Sequence, residues 1–217
     1  MAIKTALSIG AQRFLRVRTT VLGAMAVSGI SVGASAIGFV FQIILAAHFG
    51  AGVAIDSYLF AISVPTFLAG LGATALSYMV TPVLVKAEPD PHARAALLRS
   101  LLQRVGVGAI GFAMIGLPAA VAQGLLLPAG SELRHMAVLP AMIALGWTIG
   151  GVQLVAALFT VELNAARRPI VAALLALPPN LGAIAVVMLM PRTILSAPSG
   201  VLLGSLIAAV TGMALTR

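Results

Sequence analysis

Six stretches of this chain run for more than twenty residues without a single Asp, Glu, Lys or Arg: 19–47, 57–85, 105–128, 136–161, 170–191 and 193–216. A helix rises about 1.5 Å per residue, so about 20 apolar residues cross the roughly 30 Å of bilayer hydrocarbon. In lipid, backbone N–H and C=O groups must find partners within the segment or in a closed barrel. Barrel strands are shorter and alternate polar with apolar side chains, whereas these stretches are apolar all round. The expected fold class is therefore all-α, a polytopic membrane bundle of about six transmembrane helices. Composition agrees, with 61% of residues hydrophobic and 8% charged, against the roughly 25% charged residues that a soluble surface carries.

The formal charge of +8 would suggest nucleic acid in a soluble chain, but here the basic residues sit between spans and form no stripe interleaved with aromatics. No nucleic acid partner is expected. A basic leader, 1–18, holds Lys4, Arg13, Arg16 and Arg18. Ala34-Ser35-Ala36 imitates a signal-peptidase site, but the apolar stretch continues past it, longer than the roughly 7–15 residues of a secretory signal core. An uncleaved first span is expected, followed by a six-helix lobe over 19–217. Placing the leader inside puts Lys86, Arg94, Arg99, Arg104, Arg167, Arg168 and Arg217 on the same side, and only Arg134 and Arg192 on the other. That split of eleven to two is a positive-inside signal, and it predicts that both termini face the cytoplasm.

Between the second and third spans, segment 87–104 opens with Pro89-Asp90-Pro91, where Asp90 suits a helix cap. Leu97, Leu98, Leu101 and Leu102 then recur at helical spacing, with Arg94, Arg99 and Arg104 on other faces. Two readings stand: an interfacial amphipathic helix, or a plain extension of the third span. Glycines four apart, Gly29/Gly33, Gly146/Gly150 and Gly200/Gly204, put two small residues on one helix face and let backbones approach. Pro65, Pro118, Pro140 and Pro178-Pro179 fall within spans, where each frees a carbonyl and bends the helix. Bent spans around a cavity are frequent in transporters.

Catalytic constellations are missing. The carboxylates Asp56, Glu88, Asp90, Glu132 and Glu162 lie at span ends or in loops, none of them expected to be buried, and His48, His92 and His135 lack metal-ligand spacing. There is no cysteine, no His-Glu-x-x-His, no Gly-x-Ser-x-Gly and no phosphate-binding loop. The chain is expected to be no enzyme and to carry no cofactor or metal. The groups at depth are weakly polar: Gln42, with His48 at the outer end of the same span, Gln153, and Asn180 just after two prolines. A lone Gln or Asn inside a membrane is most simply an interhelical hydrogen bond. Asp56 is most simply the N-cap of the second span.

A more specific signal lies in ordered motifs. Gly38-Phe39 is followed by Ala46-Ala47-His48-Phe49-Gly50-Ala51-Gly52, then Asp56-Ser57-Tyr58-Leu59-Phe60-Ala61 and Pro65, with Ser77 and Pro82-Val83-Leu84 ending the second span. A later block reads Leu163-Asn164-Ala165-Ala166-Arg167-Arg168, Ala172-Ala173-Leu174 and Pro178-Pro179-Asn180-Leu181, with Val201-Leu202-Leu203-Gly204 in the sixth span. This order resembles the MurJ/MviN lipid II flippases of the multidrug/oligosaccharidyl-lipid/polysaccharide (MOP) exporter superfamily, from about residue 35 to the end. The family's arginines around the Gly-Phe are replaced here by Ser35 and Phe41, its following acidic residue by Gln42, its arginine pair after the second-helix proline by Ala69-Gly70, and the acidic residue before the serine by Ala73. These departures point away from lipid II and toward another lipid-linked saccharide, such as an exopolysaccharide or O-antigen precursor.

The resemblance implies a flippase-type carrier in a bacterial inner membrane that works by alternating access between two lobes, of which this chain matches the N-terminal one. The implied partners are a lipid-linked saccharide, membrane lipids and a second lobe or chain. The substrate-cavity candidates are Ser35, Gln42, His48, Asp56, Ser77 and Asn180. Two other readings are a drug/cation antiporter of the same superfamily, which would need a buried carboxylate, and a noncatalytic or vestigial membrane subunit.

Overall fold

The computed structural model describes the backbone of residues 2–216 apart from 51, 88, 89, 129, 191 and 192, and no side chain within 2–20 or 123–126. The side chains of Lys4, Arg13, Arg16 and Arg18, like Glu88, Pro89, Pro191, Arg192 and Arg217, lie outside the described residues. Among the described residues eight helices follow in chain order: α1 (Ala2–Phe49), α2 (Val53–Lys86), α3 (Pro91–Met114), α4 (Gly116–Leu126), α5 (Leu139–Ala165), α6 (Pro169–Leu174), α7 (Leu177–Leu189) and α8 (Ser196–Leu215), with a 3-10 turn at Glu132–His135 before α5. No strand occurs among the described residues. Among the described residues six spans are long and apolar enough to cross a membrane: Val21–Phe49, Val53–Lys86, Pro91–Ala122, Leu139–Ala165, Pro169–Leu189 and Ser196–Leu215. The chain is an all-α, multi-pass membrane bundle.

Prolines explain why six spans need eight helices. A proline ring clashes with the carbonyl four residues back and lacks the N–H that would bond it. For Pro118 that carbonyl belongs to Met114, where α3 ends; for Pro178 it belongs to Leu174, where α6 ends. The third and fifth spans are thus each broken into two helices. Pro65 and Pro82 sit inside α2 without ending it. The expectation that Pro140 interrupts its span is corrected. Because α5 starts at Leu139, Pro140 lies in the first turn, where no intrahelical bond is lost.

The segment over 87–104 resolves to the extension: α3 is continuous from Pro91 to Met114. Asp90 caps it, Oδ1 accepting from the backbone N–H groups of His92 at 2.9 Å and Ala93 at 3.1 Å. The leucines cover protein, not only lipid. Leu97, Leu101 and Leu102 pack against a core of Val80, Leu84, Leu158, Val161 and Ala165. The Asp56 cap is corrected as well. Gly52 occupies the N-cap of α2, and Asp56 is an exposed residue one turn inside the helix. There its carboxylate lies in the first turn, at the positive end of the helix dipole.

α5 is the hub of the bundle, packing against α2, α3, α4, α6 and α8, while α7 pairs closely with α8. Glycines let the backbones meet. A Cβ added at Gly146 would lie 2.5 Å from the Ala61 carbonyl oxygen of α2, and one at Gly151 would lie 2.6 Å from the Ala109 carbonyl oxygen of α3. Ala61 is the residue four before Pro65, so Gly146 faces the carbonyl that the proline leaves without its helical partner. Gly204 is tighter still, with the Pro178 carbonyl oxygen in the place of its missing side chain. Without water to drive apolar groups together, such close van der Waals contact is what holds spans in lipid.

α1 stands apart. It leans on α6 and α7 and makes few backbone contacts with α2. The two close on each other near their connecting turn, where Phe41 and Tyr58 meet edge to face at 6.1 Å within a core that includes Leu45, Ala61, Met142 and Ala183. Gly50 makes that turn with φ of 73°, a left-handed conformation that glycine alone adopts without steric cost. The outward faces are apolar: Leu189 is 80% exposed, Val121 75% and Val32 70%, the reverse of a soluble surface and suited to contact with lipid.

Candidate functional site

Where α1 and α2 part, a cavity of about 440 Å³ opens among α1, α2, α5, α6, α7 and α8. Its polar lining consists of Ser31, Thr74, Ser77, Gln153, Thr160 and Ser205, and the rest is mostly alanine. None of its lining residues is charged. Helical periodicity builds each wall: Thr74 and Ser77 are three apart on α2, and Gln153 and Thr160 seven apart on α5, spacings that keep both on one face. The alanines, lacking bulk, leave the space between the walls open.

The hydroxyl chemistry is directional. In the hydrophobic interior of a helix, Ser and Thr donate their proton to the carbonyl one turn back. Ser31 donates to Val27 O at 3.0 Å, Thr74 to Gly70 O at 2.9 Å, Ser77 to Ala73 O at 3.0 Å and Thr160 to Ala156 O at 3.1 Å. With the proton committed, the oxygen lone pairs remain as acceptors. Gln153 adds an amide that both donates and accepts. The Ser205 hydroxyl is fully buried in the α8 wall with no hydrogen-bond partner among the described residues, and an unpaired buried polar group is a marked exception in a native fold. The arrangement is a neutral cleft rich in acceptors. It suits a ligand that carries hydroxyl donors and no charge.

The six sequence candidates distribute unevenly over this geometry. Ser77 lines the cleft. Ser35 lies one turn beyond Ser31, exposed on α1, with its hydroxyl on Ser31 O at 3.0 Å. Asn180 sits at the α1–α7 seam, next to Pro179 of the lining. Its Nδ2 reaches Ala34 O at 3.5 Å, and it lies against Gly38, where an added Cβ would meet Nδ2 at 3.3 Å. Asn180 is thus an interhelical contact. Gln42 is exposed on α1 and has no hydrogen bond among the described residues, so the interhelical bond expected of it is not made. His48 is exposed near the α1–α2 turn, its Nδ1 bonded to Ile44 O at 3.0 Å. It and Asp56 belong to that turn and not to the cleft. Ser31, Thr74, Thr160 and Ser205 were not singled out from sequence, and Gln153 was noted only for its depth. Their signal was available as polar positions at helical spacing within otherwise apolar spans.

One expectation about charge is overturned. Glu162 is buried, with 5% of its surface exposed, because α5 runs on to Ala165 and the α3 extension covers its end. Arg94 of α3 bonds a single oxygen of Glu162, with Nε at 3.0 Å and Nη2 at 2.7 Å from Oε1. The other oxygen, Oε2, is buried without a hydrogen bond among the described residues. Sequence separation of 68 residues made this pair illegible in the chain. Beside it, α5 ends in a close in which Arg168 N–H bonds Leu163 O at 2.8 Å and Arg167 N–H bonds Asn164 O at 3.1 Å. Arg167 takes the left-handed conformation there, φ 59°, where glycine is usual. Compared with family models, with curated proteins and with solved structures, the chain finds no match.

Proposed function

We propose that this chain is one lobe of an alternating-access carrier that moves a lipid-linked saccharide across a bacterial inner membrane. The observation that carries the reading is the neutral, acceptor-rich cleft between α1 and the α2–α5 wall. Sugar hydroxyls are donors that such a lining would satisfy, and burying a polar headgroup among spans requires that its hydrogen bonds be met. The ordered resemblance to the MurJ/MviN flippases and the proline-broken spans support the same reading. No bond is made or broken: the headgroup crosses in the cleft, its lipid tail stays in the bilayer, and a second lobe closes the other side.

The antiporter reading gains a buried carboxylate in Glu162, but that group is bound by Arg94 and lies outside the cleft lining. An antiporter cleft would be expected to hold a carboxylate to balance a cationic cargo, and this one has none among its lining residues.

Photocrosslinking tests the cleft directly. A benzophenone amino acid replacing Ser77, in membranes that make a lipid-linked saccharide, should capture the saccharide lipid. The same probe at Tyr78, 80% exposed on the outward face, should capture bulk lipid only. Absence of saccharide adducts at 77, or equal capture at both positions, overturns the reading. Orientation is testable in the same membranes, because a chain without cysteine accepts single cysteines cleanly. Cysteines at Gly52 and Glu132 should react with an impermeant maleimide from outside, as the loop charges require.

A further inference from the structure

A second cavity, of about 690 Å³, lies between α3, α5 and α8, at the end of α5 remote from the α1–α2 turn. Three arginines line it, Arg94, Arg99 and Arg168, together with the carboxylate of Glu162. Arg94 and Glu162 neutralise each other through the ion pair at 2.7 Å. Arg99 and Arg168 are exposed and have no ion-pair partner among the described residues. The rest of the wall is largely apolar, with Leu98, Leu102, Phe159, Leu163 and Met213. One cavity thus joins two unpaired guanidinium groups to a greasy slot.

Cations at span ends have an ordinary explanation. They snorkel toward water, and Arg167 and Arg168 follow the C-terminus of α5, where positive charge suits the helix dipole. Neither effect accounts for a concave site in which one cation from α3 and one from the α5–α6 turn face one apolar wall. Guanidinium forks match phosphate oxygens in geometry as well as charge. Basic pockets between membrane helices on the cytoplasmic side are where anionic headgroups bind, and the loop charges predict that this end is cytoplasmic.

We propose that this cavity seats an anionic phospholipid of the adjoining leaflet, with Arg99 and Arg168 donating to the phosphate and an acyl chain lying along Leu98, Leu102 and Met213. The occupant would tie α3 to α8, two helices that otherwise meet mainly through α5. The assignment rests on charge complementarity and is independent of what the central cleft carries.

The test uses the whole chain in nanodiscs of phosphatidylcholine, with or without phosphatidylglycerol. Phosphatidylglycerol should raise the melting temperature by several degrees. The double variant R99Q/R168Q should lose that rise while melting like the parent in pure phosphatidylcholine, and R134Q, at the opposite end, should keep it. No rise in the parent, or an undiminished rise in the double variant, overturns the proposal. Inorganic phosphate added to phosphatidylcholine discs separates a lipid from a soluble anion: full protection by phosphate, with none added by the lipid, overturns the lipid assignment. Should the double variant not fold, photoactivatable phosphatidylglycerol on the parent chain decides, because the label must fall on the α3, α5 and α8 segments around the cavity. Labelling confined to other faces refutes it.

Discussion

Gly200/Gly204 of α8 and Gly29/Gly33 of α1 share a spacing and differ in everything around them. The α8 pair is in backbone contact with α7: an added Cβ at Gly200 would lie 2.7 Å from the Gly182 carbonyl oxygen, and at Gly204 the Pro178 carbonyl fills the place. At Gly29 and Gly33 an added Cβ would meet nothing within 4 Å. The same motif therefore does opposite jobs. In α8 it is a seam already closed; in α1 it is a smooth face with no neighbour among the described residues. Glycine spacing tells that two backbones could approach, and the tertiary fold tells whether they do. The bundle thus divides into a tightly keyed body, α2 with α5 and α7 with α8, and a loosely attached α1.

This division makes graded predictions. Gly204→Val should be the most damaging change, because a branched side chain has no space against Pro178. Overpacking of this kind costs about 1–3 kcal/mol and on occasion more, and here the expected outcome is no monodisperse protein on size exclusion after detergent extraction. Glu162→Ala should follow, at roughly 3 kcal/mol, since it leaves the Arg94 guanidinium uncompensated where it is mostly buried. The loss should appear as a lowered melting temperature, and removing both partners, Arg94→Leu with Glu162→Leu, should restore most of it. A double variant as unstable as the single one would show that the pair does more than neutralise itself.

Gly146→Ala comes next, at about 1–2 kcal/mol, since a Cβ at 2.5 Å from the Ala61 oxygen forces α2 and α5 apart by a fraction of an ångström. The smallest effect belongs to α1. Gly29→Ala with Gly33→Ala should leave the melting temperature of the chain unchanged or slightly raised, because alanine is the better helix former by about 1 kcal/mol in peptides. A clear destabilisation there would break the comparison. The bulkier Gly29→Leu with Gly33→Leu sharpens it: a bundle that still folds and melts like the parent would show that this face of α1 packs against no other helix of the chain, whereas loss of monodisperse protein would break the comparison.

Much of the architecture was legible in the residues. Long charge-free stretches announced six spans, since burying charge in hydrocarbon is costly and local composition reports that cost residue by residue. Most span ends shifted by a few residues, while the third span begins at Pro91 and not at 105, and Asp90 capped its helix as its position beside two prolines suggested. The broken third and fifth spans followed from Pro118 and Pro178, because proline acts on its own helix within four residues. Pro140 misled for the converse reason: its effect depends on where the helix starts, and α5 starts one residue before it.

The candidate cleft was less legible. Ser77 lies in the lining, but Gln42, His48 and Asp56, which stand out in the sequence for polarity at depth or near a span mouth, lie away from the cleft. Polarity marks a residue as unusual in lipid without saying which way it points. Ser31, Thr74 and Thr160 carry hydroxyls satisfied within their own helices, so they raise no alarm in an apolar stretch. They matter because three helices turn the same face inward.

Local chemistry, then, set the membrane character, the helical state, the number of spans and the places where they break, since each depends on residues near in sequence. The partnership of Arg94 with Glu162, the opposite fates of the glycine pairs, the gap between α1 and α2 and the assembly of six neutral polar groups around one cavity came only with the fold. Each is a relation between helices, and helix faces that are apolar all round carry no marker of their neighbours; only backbone approach and side-chain fit decide which faces meet.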